Sequence, residues 1–463
     1  MAEPGLGSRT IREAARETKV CYEADVVVVG GGPGGHSAAV AAARNGASAV
    51  LVERYGHLGG MSTGGLVLML HNMSDGTETQ LIAGLCQEWI DRLDARDACV
   101  HPKKEEIGSG DKELLNRWQS PFFAIEGRLI FGARGIDPEI LKCVLNDMTE
   151  EAGVKLFLHS WGTQTIVDNG EVKGIIFESK SGRQAILAKV VIDGTGDGDL
   201  LPLVGEEFDC NTNLDLRTNK AAMCFEFANV DLERVGEFRQ TNPQKYAELM
   251  QEVVKLNGFT PLLGGTSRMR ERRTREGVVH FNMFLPGLDV LNVEDLTRIE
   301  VNTRKRMLIT YDFMRKYVPG FEKSFIMLTA PQLGIRGSRR LVGEYVITEQ
   351  DTRAGTVFED TIAVFPPLNA VLSPEHPRLH IPYRSLLPRK VDGLLVAGRS
   401  FSSDDVINEY YNTISHCIAM GQAAGTASAL AIKSGTKLRD VDHSLLQERL
   451  IAQGVQLPGL VRA

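Results

Sequence analysis

Residues 24–35 read Ala24-Asp25-Val26-Val27-Val28-Val29-Gly30-Gly31-Gly32-Pro33-Gly34-Gly35. The four valines are an uninterrupted β-branched run, the pattern of a strand buried on both faces. The run breaks on glycines, and Gly34–Asn45 then reads as an alanine-rich helix. Ala49–Glu53 (AVLVE) is a second buried-strand pattern. Strand, glycine turn, helix and strand within ~30 residues make a βαβ unit, which implies a parallel sheet. Gly30, Gly32 and Gly35 fit the spacing GxGxxG. The first glycine makes the turn, the second admits a pyrophosphate to the backbone, and the third lets helix and strand pack closely. The helix that starts here aims its free N–H groups and its dipole at the phosphates. Glu53 ends the next strand, eighteen residues after Gly35, near the roughly 20 expected of a ribose-binding carboxylate.

Working outward, 154–192 switches to strand pattern, with Asn169-Gly170 and Ser181-Gly182 as hairpin turns. This reads as an antiparallel β-meander inserted into the nucleotide-binding fold. Residues 80–150 are mostly helical in pattern, with a polar loop near His101–Lys112. Long polar helices are expected around 230–255 and 293–318. From Leu394 the buried-strand pattern returns (LLVAG), followed by a helix rich in Ala and Gly.

Composition narrows the function classes. Hydrophobic residues are 43% and charged residues 24%, which describes an ordinary globular chain and excludes a disordered or collagen-like one. The net charge of −7 gives no electrostatic draw toward nucleic acid or anionic lipid, so neither is an expected partner. Seven cysteines without a CxxC spacing argue against a disulfide framework and a zinc site, and suit a reducing cytoplasm. No metal site is expected. The first 20 residues are polar and lack the apolar core of a signal peptide, and no run approaches 18 apolar residues.

NAD and FAD share GxGxxG, and three further segments bear on the choice. A second glycine-rich stretch, ERYGHLGGMSTGG (53–65), follows the ribose acid directly and suits a large flat ring lying close to backbone. DGTGDGD (193–199) ends another strand in glycines. The strand Gly393–Ala397 ends in Gly398-Arg399, and MGQAAG (420–425) lies in the helix beyond. With GIRGSRRLVGEY (334–345) and IPYRSLLPRKVDGLLVAGRS (381–400), these segments resemble the glutathione-reductase-type (two-dinucleotide-fold) FAD superfamily. More narrowly, they resemble a broad bacterial family of FAD-dependent oxidoreductases.

The resemblance implies FAD as cofactor and a role for each matched residue. Gly30, Gly32, Pro33 and Gly35 would hold the pyrophosphate, and Glu53 the adenosine ribose, with Arg54 beside it. Gly59, Gly60, Met61 and Ser62 would lie along the flavin and ribityl chain. Thr195 and Gly196 would close over the adenosine side, with Gly398 and Arg399 near the pyrophosphate and ribityl chain. A helix start at Gly421-Gln422 would face the pyrimidine edge, its dipole stabilising negative charge on reduced flavin.

The fold expected is α/β: a Rossmann-like FAD-binding domain with a parallel sheet and inserted β-meander, plus a discontinuous α+β substrate domain. Residues 1–23 read as a leader. The FAD-binding domain comprises 24–80, 134–210 and 376–463, with a C-terminal helix. The helical insertion 81–133 and residues 211–375 form the substrate domain.

For chemistry, Asp404–Cys417 lies between the AGR strand and MGQAAG and carries two tyrosines, an asparagine and a histidine. His416 is the first candidate for a base, since imidazole titrates near neutrality; a packed or cofactor-bonding histidine is the alternative. Tyr410 and Tyr411 follow, as hydroxyl donors, ring stackers or core residues. At helical spacing Arg336 and Arg340 share a face, either to grip an anion or to pair with Glu344. The run Arg268–Arg275 reads as a solvated loop or subunit contact, which leaves a homo-oligomer open. The resemblance makes His57 a candidate for a covalent flavin link, and His71 follows an apolar run that could line the pocket.

The function expected is an FAD-dependent dehydrogenase or oxidase. It would transfer a hydride between the flavin and a small organic substrate (CH–OH, CH–NH or CH–CH). The alternatives are a flavin-containing hydratase or isomerase without net redox, and a binding protein on a relict nucleotide fold. Oxygen, a quinone and an electron-transfer protein all remain open as electron acceptor.

Overall fold

The computed structural model describes residues 10–118, 123–210, 220–256, 270–271, 275–286, 289–367 and 377–459. The valine run sits at the centre of an α/β fold. Lys19–Val29 runs parallel to Ala49–Val52 on one side and to Gly182–Asp193 on the other. Val26–Val29 are accordingly 0–4% exposed. Lys155–Phe157 adds beyond Ala49–Val52, and Leu394–Val396 beyond Gly182–Asp193, both parallel. Five strands thus point the same way, and the turns after them gather along one edge of the sheet. Gly30, Glu53, Gly194 and Ala397 each directly follow one of these strands.

Gly182–Asp193 serves two arrangements. Its first half pairs antiparallel with Glu171–Ser179, which pairs with Ser160–Asp168. Its last residues pair with Leu394–Val396. The meander therefore begins at Ser160, because Lys155–Phe157 is taken by the parallel edge. Asn169 and Gly170 both have positive φ (49° and 78°), the requirement of a type I′ turn. The opening strand starts at Lys19 rather than Ala24, since Lys19–Glu23 pair with Gln184–Leu187 outside the valine core.

A second, antiparallel sheet centres on Lys220–Ala228, flanked by Val279–Pro286 and Phe325–Thr329. Phe225, Phe227 and Phe281 cluster on one face, with ring centroids 4.8–5.4 Å apart. Tyr311 of the helix Val293–Tyr317 meets Phe227 edge-on. The helices Leu232–Thr241 and Pro243–Leu256 complete this part. Gly236, inside the first of them, has nothing within 4 Å of where a Cβ would stand. Gly236→Ala is therefore expected to stabilise by about 0.5–1 kcal/mol, read as a higher midpoint in thermal denaturation.

The helices Pro33–Arg44 and Ile414–Ser434 cross in close contact. A Cβ at Gly421 would lie 2.0 Å from the Gly34 carbonyl oxygen, and one at Gly425 2.1 Å from that of Ala38. Each pair is spaced by four, so small residues line one stripe of both helices.

Two expectations fail here. GIRGSRR is not helical: Gly334–Ile335 and Arg339–Leu341 are strands, so Arg336 and Arg340 share no helix face. Arg340 is 3% exposed and pairs with Asp209 and Asp405 (2.7 and 2.5 Å). Glu344 pairs instead with Arg439 (2.6 Å). Of the basic run, Arg268, Met269 and Arg272–Thr274 lie outside the described residues, while Arg275 pairs with Asp137. Among the described residues no helix is long and apolar enough to cross a membrane.

Candidate functional site

Along the strand-end edge runs a cavity of about 720 Å³, within the roughly 300–1,000 Å³ common for cofactor and ligand sites. Its middle is the glycine turn. Gly30 has φ +98°, and a Cβ there would stand 2.5 Å from the Gly194 carbonyl oxygen. A Cβ at Gly35 would stand 1.8 Å from the Gly30 carbonyl oxygen. Gly35 therefore packs helix on strand and does not itself line the cavity. Gly32 lines it as the N-cap of Pro33–Arg44, and no side chain caps this helix. A Cβ at Gly32 would meet only Gly60 Cα at 4.0 Å and would project into the cavity. Pro33 occupies the first helical position, where its missing N–H costs nothing. The uncapped N–H groups and the dipole suit a phosphate.

At one end stands Glu53, 6% exposed. Its Oε2 accepts from Gly31 N (2.6 Å) and its Oε1 from Tyr55 N (2.8 Å). Burial raises its pKa, against the pull of these N–H groups. Arg54 lies over the rings of Tyr55 (5.0 Å) and Trp161 (5.8 Å). Burial works against the Arg54 charge, but Tyr55, Asp197, Asp199 and Glu53 outweigh it and raise its pKa. Trp161 gives the sequence little warning of its role, being an isolated indole in a polar strand.

Thr195, Gly196, Gly398 and Arg399 also line the cavity. Arg399 donates to Asp197 Oδ1 (2.6 Å) and to the Ile335 carbonyl (3.0 Å), which closes the loop after Asp193. Asp193, 1% exposed, accepts from Thr195 N (3.0 Å), Thr195 Oγ1 (2.7 Å) and Leu200 N (3.0 Å). Burial pushes its pKa up to about 6, against those donors. The folded chain thus binds a proton more tightly here than the unfolded chain does. The stability from this group is fully present below the ordinary carboxylate pKa and is lost as pH rises through about 6. The Tm margin of wild type over Asp193→Asn should narrow between about pH 4 and pH 7. A margin constant over a thermal-denaturation series would refute this.

Gly60 and Met61 line the passage to the far end. Gly59 and Ser62 do not, and brace it from behind: Gly59 N donates to the Gly31 carbonyl (2.8 Å) and Ser62 Oγ to the Gly59 carbonyl (2.6 Å). His57 also lies off the wall, stacked on Tyr55 (5.7 Å), so it does not face the cofactor space. The far end carries His71, Gln332, Arg336, Asn412, Thr413 and Cys417. Nothing in the sequence around Gln332 marks it.

The expectation for Gly421-Gln422 is corrected here. The helix starts at Ile414 with Thr413 as N-cap, so Thr413 and Ile414 bring its positive end to the cavity. Gly421 is buried in the helix crossing, and Gln422 Oε1 accepts from Leu85 N (2.9 Å). The acid–base candidates are corrected too, because none of the three lines the cavity. Tyr410 packs against the core. Tyr411 is buried and stacks on Phe365 (6.1 Å). His416 is 0% exposed, edge-on to Phe365 at 4.3 Å. Asp404–Cys417 does reach the cavity, but through Asn412, Thr413, Ile414 and Cys417.

The residues present fit FAD. An open cradle at Gly32, an uncapped helix behind it, a carboxylate at one end and a second uncapped helix at the other match its pyrophosphate, ribose and ring. The solved structures similar to the chain include three of related size. A geranylgeranyl bacteriochlorophyll reductase-like protein from Thermoplasma acidophilum is 16% identical over 93% of this chain and 83% of its own, with a TM-score of 0.43. The p-nitrophenol 4-monooxygenase of Pseudomonas putida is 12% identical over 93% and 84%, with a TM-score of 0.44. A myxobacterial chondrochloren halogenase is 11% identical over 93% and 78%, with a TM-score of 0.42. No curated protein matches the chain. A model of the FAD-dependent oxidoreductases matches residues 25–450, from the valine strand to the last helix, and the chain belongs to that family, with FAD as its cofactor.

Proposed function

We propose that the protein is a dehydrogenase or oxidase in which a small organic substrate gives a hydride, from a CH–OH, CH–NH or CH–CH group, to FAD. The observation that carries this reading is the continuity of the cavity. One space runs from Glu53 past Gly32 and Met61 to a wall bearing His71, Gln332, Asn412 and Thr413. Val67, Met69, Leu333 and Ile335 give the same end apolar surface that excludes water. FAD, when bound there, supplies the hydride acceptor. The glycine turn and Glu53 would fix its position along the cavity. His71 supplies an imidazole on the wall to hold the proton that the substrate leaves behind. Ser415 Oγ donates to the His71 carbonyl (2.7 Å), which anchors the backbone carrying that ring.

His71→Ala is expected to lower kcat by roughly 10²–10⁴-fold with FAD content unchanged, as measured by steady-state kinetics. The reading itself is tested by anaerobic mixing of the holoprotein with a panel of alcohols, amines and saturated esters. Bleaching of the oxidised flavin band by one of them supports it. Turnover with the flavin remaining oxidised would point to a hydratase or isomerase. Reduction by NAD(P)H alone, followed by oxygen insertion into product, would mean a monooxygenase.

A further inference from the structure

Thr413 has the extended backbone of an N-cap residue (φ −76°, ψ 168°), yet its side chain makes no cap hydrogen bond. A threonine here ordinarily turns its hydroxyl onto the second or third helical N–H, for about 1 kcal/mol. Instead Thr413 Oγ1 meets His416 Nδ1 at 2.5 Å. Thr413 lines the cavity, and His416 is buried one layer behind it. The Thr413 hydroxyl therefore links a buried imidazole to the cofactor space.

We propose that Thr413 and His416 form a proton store for that space: when the bound cofactor is reduced and the cavity gains negative charge, His416 takes up a proton through Thr413. In the starting state the Thr413 hydroxyl donates to Nδ1. On uptake the Thr413 proton moves to Nδ1, and the Thr413 oxygen gains a proton from cavity water. The electrons come from the organic substrate in turnover, or from dithionite in a titration. The hydrogen bond then runs the other way, from Nδ1–H to Oγ1, and the Thr413 O–H turns toward the cavity. The wall changes from acceptor to donor as negative charge appears in front of it, beside the positive end of the helix.

Three described elements present groups to His416. The helix Asp405–Tyr411 presents the Tyr411 phenol, at 5.5 Å between ring centroids. The strand Thr361–Phe365 presents Phe365, which does not titrate. Its own helix adds Ser415, whose Oγ lies 3.4 Å from Thr413 Oγ1, and the neighbouring Cys417. His416 does not line the cavity and is a positioning residue, acting on it through Thr413. The inference requires FAD in the cavity and does not depend on which substrate is oxidised.

The test is a redox titration of the holoprotein with dithionite at several pH values, followed by flavin absorbance. Each proton taken up with two electrons changes the equilibrium tenfold per pH unit, about 30 mV. One proton on the cofactor alone gives about 30 mV per pH unit, and a second on His416 gives about 60 mV. Wild type and Thr413→Ser are expected near the higher slope across the neutral range, and Thr413→Val and His416→Gln near the lower. If Thr413→Val loses FAD, His416→Gln with Thr413 intact makes the same comparison. A wild-type slope of about 30 mV, or equal slopes in wild type and His416→Gln, would overturn the proposal. Both outcomes are independent of whether any organic substrate reduces the flavin.

Discussion

Gly421→Val is expected to lose its FAD and at least ~3 kcal/mol of stability. The new Cβ would lie 2.0 Å from the Gly34 carbonyl oxygen and 2.9 Å from Gly34 Cα. These are backbone atoms, so no rotamer change can relieve the contact. The helices Pro33–Arg44 and Ile414–Ser434 must separate, and the alanines between them lose their packing. Pro33–Arg44 carries Gly32 and the uncapped N–H groups at its start, so the phosphate cradle moves with it. Gly421→Ala introduces the same atom and should lose much of the same stability. Urea denaturation and the ratio of flavin to protein absorbance measure both effects. A Gly421→Val protein with wild-type midpoint and full flavin content would mean that the two helices do not meet as described.

Glu53→Ala is expected to weaken FAD binding by roughly 10²–10³-fold, from lost hydrogen bonds worth ~1–3 kcal/mol each. Both carboxylate oxygens are engaged within the protein, by Gly31 N and Tyr55 N. Removing the side chain leaves the buried Gly31 N–H and the half-buried Tyr55 N–H without this acceptor, and removes the carboxylate expected to take a ribose hydroxyl. Glu53→Gln should not rescue, because its NH₂ would face one of the same donors. Burial raises the Glu53 pKa, so acidification protonates it earlier than an ordinary glutamate. FAD affinity should therefore fall as pH is lowered through that raised value, and Glu53→Ala should lack this dependence. Fluorescence titration of the apoprotein gives both results. Wild-type affinity in Glu53→Ala would remove Glu53 from the site.

The glycine turn lines the cavity and MGQAAG does not, and the two outcomes have one explanation. Gly30, Gly32, Gly35 and Glu53 act within a single βαβ unit, where spacing along the chain is also spacing in space. Gly421 and Gly425 act on Gly34 and Ala38, nearly four hundred residues away. Small residues spaced by four serve a helix crossing or a cofactor equally well, and the chain does not say which lies opposite. The catalytic candidates fail for a related reason. Which side chains of Asp404–Cys417 face the cavity depends on where the helix begins. A start at Thr413 turns Ile414 and Cys417 outward and His416 into the core. GIRGSRR fails because pairing of Arg339–Leu341 with Phe208–Cys210 overrides a helical spacing that reads plausibly in isolation.

The sequence by itself determined the parallel βαβ core, the glycine turn, the position of Glu53 at the end of the second strand and the meander. Each rests on hydrophobic period and on backbone geometry that only glycine permits, and both are local properties. Only the tertiary structure decided what stands at the far end of the cavity. There Gln332, Arg336, Asn412 and Thr413 join His71, from three separate stretches of chain. It also decided that His416 lies behind the wall, where its Nδ1 meets the Thr413 hydroxyl. Which residues meet there is set by how helices and strands distant in sequence pack. No periodicity along the chain encodes that packing.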